Sequence, residues 1–292
     1  MTSEVKAEKP LMICAFEGWN DASQAATNVI WHLVARYDSR EIRHIRTDSY
    51  YDLQVARPMV CHVTGQPRII WPQTTFYEIN INPETQVYAQ IAPEPNYRWL
   101  DYCHTSLSIA DELDIGEIVT LGSMYADCPH TRPLPIEEEA LRRGKSSING
   151  GAEEDHGKRP KNSNPYDGPV GIPSVLNMIA EEDGFDTDSM WVSVPKYLSG
   201  DECPQGTLEI LERLSDLLCV KLDTGTLPQQ ATTWKAQATV LSNCNDDLKH
   251  YIRQLEAQYD VDQQLDALES RANNHGEQIA LEAEEFLSHI DD

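Results

Sequence analysis

Six consecutive apolar residues, Leu11-Met-Ile-Cys-Ala-Phe16, run directly into Glu17-Gly-Trp-Asn-Asp21 and then into an apolar-periodic stretch from Ala22 to Val34. An unbroken apolar run of that length reads as a strand buried on both faces, the signature of a parallel sheet. Asp21, with Gln24 three residues on, has the spacing of a helix N-cap and capping box. A first strand that feeds a first helix through a Gly turn opens an α/β domain, and such domains hold ligands where strand ends meet helix starts.

Further along, Glu41–Thr47 alternates apolar with polar and predicts a half-exposed strand, followed by short extended pieces at 60–63, 68–71, 77–81 and 87–91. Tyr97 to Leu113 has helical period, with Leu100, Cys103, His104, Leu107 and Ala110 on one face. Glu117–Gly122 reads as a second buried strand ended by its Gly, and Met190–Val194 as a third, halted by Pro195; 174–182 and 205–220 supply two more helices. Buried strands that alternate with helices predict a three-layer α/β/α sandwich. Arg142 to Pro165 breaks the rhythm: it is rich in Gly, Lys, Ser and Asn, almost without apolar residues, and predicts a mobile polar insert. Beyond Pro228 the 3-4 spacing of Trp234, Ala238, Leu241, Leu248, Ile252, Leu255 and Tyr259 predicts amphipathic helices. The spacing resumes at Val261, Leu265 and Leu268. The expected division is an α/β/α core over 1–227 and a helical C-terminal appendage over 228–292.

Charge narrows the function classes. The formal net charge is −25, which argues against nucleic-acid or anionic-membrane partners, since both need clustered Lys and Arg. Residues 245–292 alone carry 13 acidic and 3 basic side chains, either a solvated helical face or a docking surface for a basic protein partner. The seven cysteines form no CxxC pair, and the nine histidines form no pair at i, i+3 or i, i+4, so neither a metal site nor a cofactor is predicted. Scattered thiols and the lack of a signal-like N-terminus predict a cytoplasmic protein.

Four loops converge if the central strands are parallel: 16–21, 123–133, 166–172 and 195–198. They bring Glu17, Asn20, Asp21, Tyr125, His130, Arg132, Gly168, Gly171 and Lys196 to one rim. His130 and Arg132 between prolines have the chemistry of an anion site, and Gly168 and Gly171 before a helix could form a backbone nest. Each has a plainer reading: Asp21 as a cap, Arg132 as one half of an ion pair, the glycines as close packing. No GxSxG, HExxH or GxGxxG pattern occurs, and Gly144-Lys145-Ser146 lacks the upstream Gly and strand of a phosphate loop.

Taken together, FEGWNDASQAA (16–26), EPNYRWLDY (94–102), GSMYADCPHTRPLPI (122–136), YDGPVGIPSVL (166–176), WVSVPKYLSG (191–200), YIRQLEAQYD (251–260) and EEFLSHID (284–291) resemble the bacterial branch of the proteasome-assembly-chaperone-like family. The resemblance implies an α/β/α fold like that of nucleoside phosphorylases, a helical C-terminal extension, self-assembly into a homo-oligomer with a homotrimer favoured, and no established reaction. Eukaryotic members help to assemble the proteasome core. The chain departs from the branch after Ile136, where EEEALRRGK leads into the polar insert. Phosphorylase-type phosphate loops are not recognisable, so likeness of fold does not transfer that activity.

Two functions therefore compete: a non-enzymatic assembly-chaperone-like scaffold, and a pocket for a nucleoside- or phosphate-like anion at the carboxyl ends of the parallel strands. A variant of the second has a neighbouring subunit complete the pocket, with the insert as its lid. The discriminating feature is whether His130 and Arg132 face an empty concavity or are already paired.

Overall fold

The computed structural model describes residues 9–46, 49–63, 65–141, 168–265 and 268. The strands are β1 (Leu11–Glu17), β2 (Asp38–Ile45), β3 (Met59–Val63), β4 (Gln66–Ile70), β5 (Thr74–Asn80), β6 (Gln86–Pro93), β7 (Glu117–Ala126), β8 (Ile136–Leu141) and β9 (Asp186–Pro195). The helices are α1 (Thr27–Arg36), α2 (Trp99–Glu112), α3 (Ile172–Asp183), α4 (Pro204–Leu217) and α5 (Leu227–Asn243), followed by α6 over 246–265. The polar insert predicted over 142–165, and Tyr166 and Asp167 after it, lie outside the described residues.

Seven strands form one sheet in the order β2-β5-β6-β1-β7-β9-β8. The inner four, β6, β1, β7 and β9, are mutually parallel. The outer strands run antiparallel to their neighbours, so the sheet is mixed and parallel only at its centre. Along β1 the side chains alternate between two cores. Leu11, Ile13 and Ala15 pack with α1, α4 and α5 on one face, and Met12, Cys14 and Phe16 with α2 and α3 on the other. Helices on both faces make the α/β/α sandwich, and the alternation explains why no polar residue interrupts the run.

Two local expectations change. Gly122 does not end its strand: β7 continues to Ala126, and the Trp191 ring on β9 lies where a Cβ at 122 would sit, 2.5 Å from the nearest ring atoms. The buried face of α2 is turned from the predicted one. Tyr102, Cys103, Ser106, Leu107 and Ala110 face inward while Leu100 and His104 are exposed, because a polar network inside the sheet takes the Tyr102 hydroxyl.

That hydroxyl lies 2.8 Å from Thr74 Oγ1 and accepts from Gln90 Nε2 at 3.1 Å, while Gln90 Oε1 accepts from the Ser106 hydroxyl. Tyr51 reaches Thr74 at 3.0 Å. Burial pushes the Tyr102 phenol far above its usual range, so it remains a hydrogen-bonding hydroxyl. Tyr102→Phe deletes the shared hydroxyl and leaves buried partners unsatisfied. It should lower unfolding free energy by about 1–3 kcal/mol, read as a drop in the urea midpoint with unchanged slope.

Candidate functional site

The carboxyl ends of the four parallel strands, Glu17, Pro93, Ala126 and Pro195, form the rim on which the predicted residues stand. Its first half is built from β1, β6 and the start of α3. The Glu94 amide donates to the Glu17 carbonyl, which places the Glu94 side chain beside the turn after β1. Glu94 Oε1 then accepts from Asn20 Nδ2 at 2.7 Å and from the Ile172 amide at 3.1 Å. The anion that the start of α3 attracts is thus an internal carboxylate, as the free amides and dipole of a helix N-terminus favour. Asn20 is fully buried, and its Oδ1 has no hydrogen-bond partner among the described residues. That oxygen rests against Gly171: a Cβ there would stand 1.7 Å from it. Gly168 is exposed at the start of the same described segment.

Asp21 does not form the predicted capping box. Gln24 sits at positive φ in a short 3-10 turn, Ala22–Gln24, that separates Asp21 from α1. Asp21 instead caps α1 across that turn: Oδ1 accepts from the Ala26 and Thr27 amides at 3.0 and 3.1 Å, and Oδ2 from the Thr27 hydroxyl. Desolvation pushes the Asp21 carboxyl up, and these hydrogen bonds pull it back. Glu17, more exposed, is pushed up by desolvation and then by the Asp21 charge. Ser123 fastens the turn to β7, its amide donating to the Asn20 carbonyl and its hydroxyl to that of Ala22. Tyr125 reaches Ser23 at 3.4 Å.

The other half of the rim is engaged by the C-terminal helices. His130 is buried, its Nδ1 2.8 Å from the Tyr197 hydroxyl and its Nε2 3.0 Å from Thr239 Oγ1 on α5. The same hydroxyl accepts from the His130 amide at 2.8 Å, and the Trp234 ring packs edge-on against the imidazole. Arg132 makes a two-pronged pair with Asp260 on α6, both contacts at 2.9 Å, with Glu256 3.8 Å away. Thr131 donates to Glu256. Lys196 pairs with Asp127 at 2.6 Å and lies 5.7 Å from the centroid of the Tyr251 ring, whose hydroxyl also donates to Asp127.

His130 and Arg132 are therefore paired. Asn20 and Gly171 meet beside Glu94, whereas His130, Arg132 and Lys196 are engaged under α5 and α6. Sequence reasoning missed Glu94, Asp127, Tyr197, Thr239, Glu256 and Asp260. Glu94 had a local signal, a carboxylate held between Pro93 and Pro95 at a strand end. Asp260 and Thr239, over a hundred residues from their partners, had none. A groove of about 1150 Å3 lies at the opposite end of the sheet beside the starts of β1, β6, β7 and β9, among Lys9, Glu84, His104, Asp111 and Asp183. Among the described residues no His, Cys, Asp and Glu cluster is set to hold a metal ion, and no helix is long and apolar enough to cross a membrane.

The PAC2 family model matches residues 15–242. A proteasome-assembly chaperone homologue from Mycobacterium tuberculosis is 32% identical, covering 83% of this chain and 99% of its own, with a TM-score of 0.70. A PAC2 family protein from Streptomyces avermitilis is 31% identical with the same coverage and TM-score. An archaeal proteasome activator from Pyrococcus furiosus, 12% identical, shares the fold at a TM-score of 0.61 over 82% of this chain and 96% of its own. No curated protein matches the chain.

Two outcomes test the rim. Gly171→Ala drives a methyl into Asn20 and should cost about 1–3 kcal/mol, the scale of overpacking; Asn20→Ala in the same chain should recover part of the lost melting temperature. His130 is held below its ordinary value near 6.5 by burial and then by Lys235, against an opposing pull from Glu256. A lowered folded value means stability present above pH 6.5 and lost as pH falls below it towards the folded value. Unfolding free energy should fall between pH 7.5 and 5.5, with a shallower slope in His130→Gln.

Proposed function

Because the chain belongs to the PAC2 family, we propose that it is a non-enzymatic, assembly-chaperone-like scaffold that works as a cytoplasmic homo-oligomer, with a trimer favoured, and binds protein rather than a small molecule. The observation that carries this reading is the commitment of the rim. The guanidinium, ammonium and imidazole that an anion pocket would use are held by Asp260, by Asp127, and by Tyr197 and Thr239, and Asp21 caps α1. The α3 N-terminus, where a phosphate would sit, already holds Glu94. Residue types that suggest catalysis here supply cohesion, and the family resemblance at about one-third identity points the same way. The likeness to proteins described as a proteasome-assembly chaperone homologue and a proteasome activator makes proteasome core subunits the first partners to try.

The test pairs two measurements on the full chain. Thermal unfolding is followed against nucleosides, nucleotides, phosphate and small carboxylates, and core-particle formation from proteasome α- and β-subunits is followed with and without the chain. A bound ligand at a hundred times its Kd adds about 2.7 kcal/mol. The scaffold reading expects no such shift, and faster assembly or a stable complex with a subunit. A ligand shift that Arg132→Ala abolishes, or assembly unaffected by the chain, overturns it.

A further inference from the structure

Between β2 and β5 the chain leaves the main sheet to form the hairpin β3–β4, which pairs with no other strand among the described residues. A two-stranded ribbon in water is at best marginally stable unless something covers a face. On one face of this ribbon, cross-strand pairing puts Met59 beside Ile70 and Cys61 beside Arg68. Met59 and Ile70 are 65% and 52% exposed. The charge of the region is equally unusual. Residues 53–77 contain no Asp or Glu, in a chain that carries 48, and they include Arg57 and Arg68. It is the longest acid-free stretch in the sequence, and it presents apolar and cationic groups.

A surface of the opposite character lies at the other side of the sheet. α6 is tied to the β7 and β9 loops up to Asp260, and every residue from Asp260 through Leu265 is exposed. Val261, Leu265 and Leu268 are 50%, 53% and 59% exposed; at spacings of four and three they form one stripe. The sequence around them carries Asp260, Asp262, Asp266 and Glu269, with no Lys or Arg from 254 to 270. Asp260 is taken by Arg132, whereas among the described residues Asp262 accepts only from Gln258, within the helix.

We propose that the Met59, Arg68 and Ile70 face of the hairpin docks the Val261, Leu265 and Leu268 stripe of a second copy of this chain, with Arg68 set against Asp262. The inference deepens the homo-oligomer reading above and rests on it. It names the two surfaces and makes the contact head-to-tail. Apolar side chains meet at the centre, unlike charges meet at the edge, and like-charged alternatives such as helix against helix are disfavoured. Because the two surfaces differ, each copy offers one of each, and successive contacts close into a ring where the rotation permits.

The experiment is sedimentation equilibrium of the full chain at micromolar concentration, with Arg68→Glu and Asp262→Lys made separately. Both positions are exposed, and unchanged melting curves confirm folding. Each variant should associate about tenfold or more weakly. The charge-swapped chain that carries both Arg68→Glu and Asp262→Lys should associate as the wild type does, since at every contact the introduced carboxylate of one copy meets the introduced ammonium of the next, whatever number of copies closes the ring. A monomeric wild type removes the homo-oligomer reading and this contact together. An oligomeric wild type whose variants keep the same mass leaves that reading standing and removes this interface. Weakened single variants that the charge-swapped chain does not restore show that Arg68 and Asp262 do not face one another, and that also overturns the proposal.

Discussion

β1 must satisfy two hydrophobic cores at once. Each of its first six side chains is buried, alternately against α1, α4 and α5 and against α2 and α3, and both of its edges are taken by parallel partners. A polar substitution at any of these positions has no exit to solvent, since one face or the other must enclose it. The geometry of the rim follows. The turn that carries Asn20 and Asp21 leaves the end of this strand, and its position is set by the depth at which β1 is held.

The same constraint accounts for what was legible in the sequence. Strands buried on both faces have only one way to look, so β1, β7 and β9 and the helices between them could be read from apolar runs and period. Edge strands answer to fewer demands. β8, at the margin of the sheet, is built from Ile136-Glu-Glu-Glu-Ala-Leu141, a composition that no strand pattern flags. Gly122 was misleading for a related reason: a glycine that clears space for Trp191 is indistinguishable in sequence from one that ends a strand. The buried face of α2 was misread at Leu100 and His104 because the helix turns Tyr102 and Ser106 inward, where their hydroxyls have buried partners.

The candidate site was legible as a list of residues and illegible as an arrangement. Position at strand ends followed from topology. Whether Arg132 faces solvent or Asp260, and whether the α3 N-terminus receives a ligand or Glu94, depends on contacts spanning 128 and 78 residues, for which local spacing holds no information. The contacts also explain why a rim rich in functional groups behaves as a joint. Charged and aromatic side chains from the loops after β7 and β9 are matched to groups on α5 and α6, so reactivity is traded for attachment.

The pairing of Arg132 with Asp260 also orders events in time. A ribosome adding about 5–20 residues per second exposes Arg132 on the order of ten seconds before it makes the carboxylate that will hold it. During that interval β9 and Tyr197 emerge and the sheet can close, yet His130 still lacks Thr239 and Lys196 still lacks Tyr251. The nascent chain therefore passes through a stage at which Arg132 has yet to meet its Asp260 partner, and the last helix among the described residues is the one that supplies it.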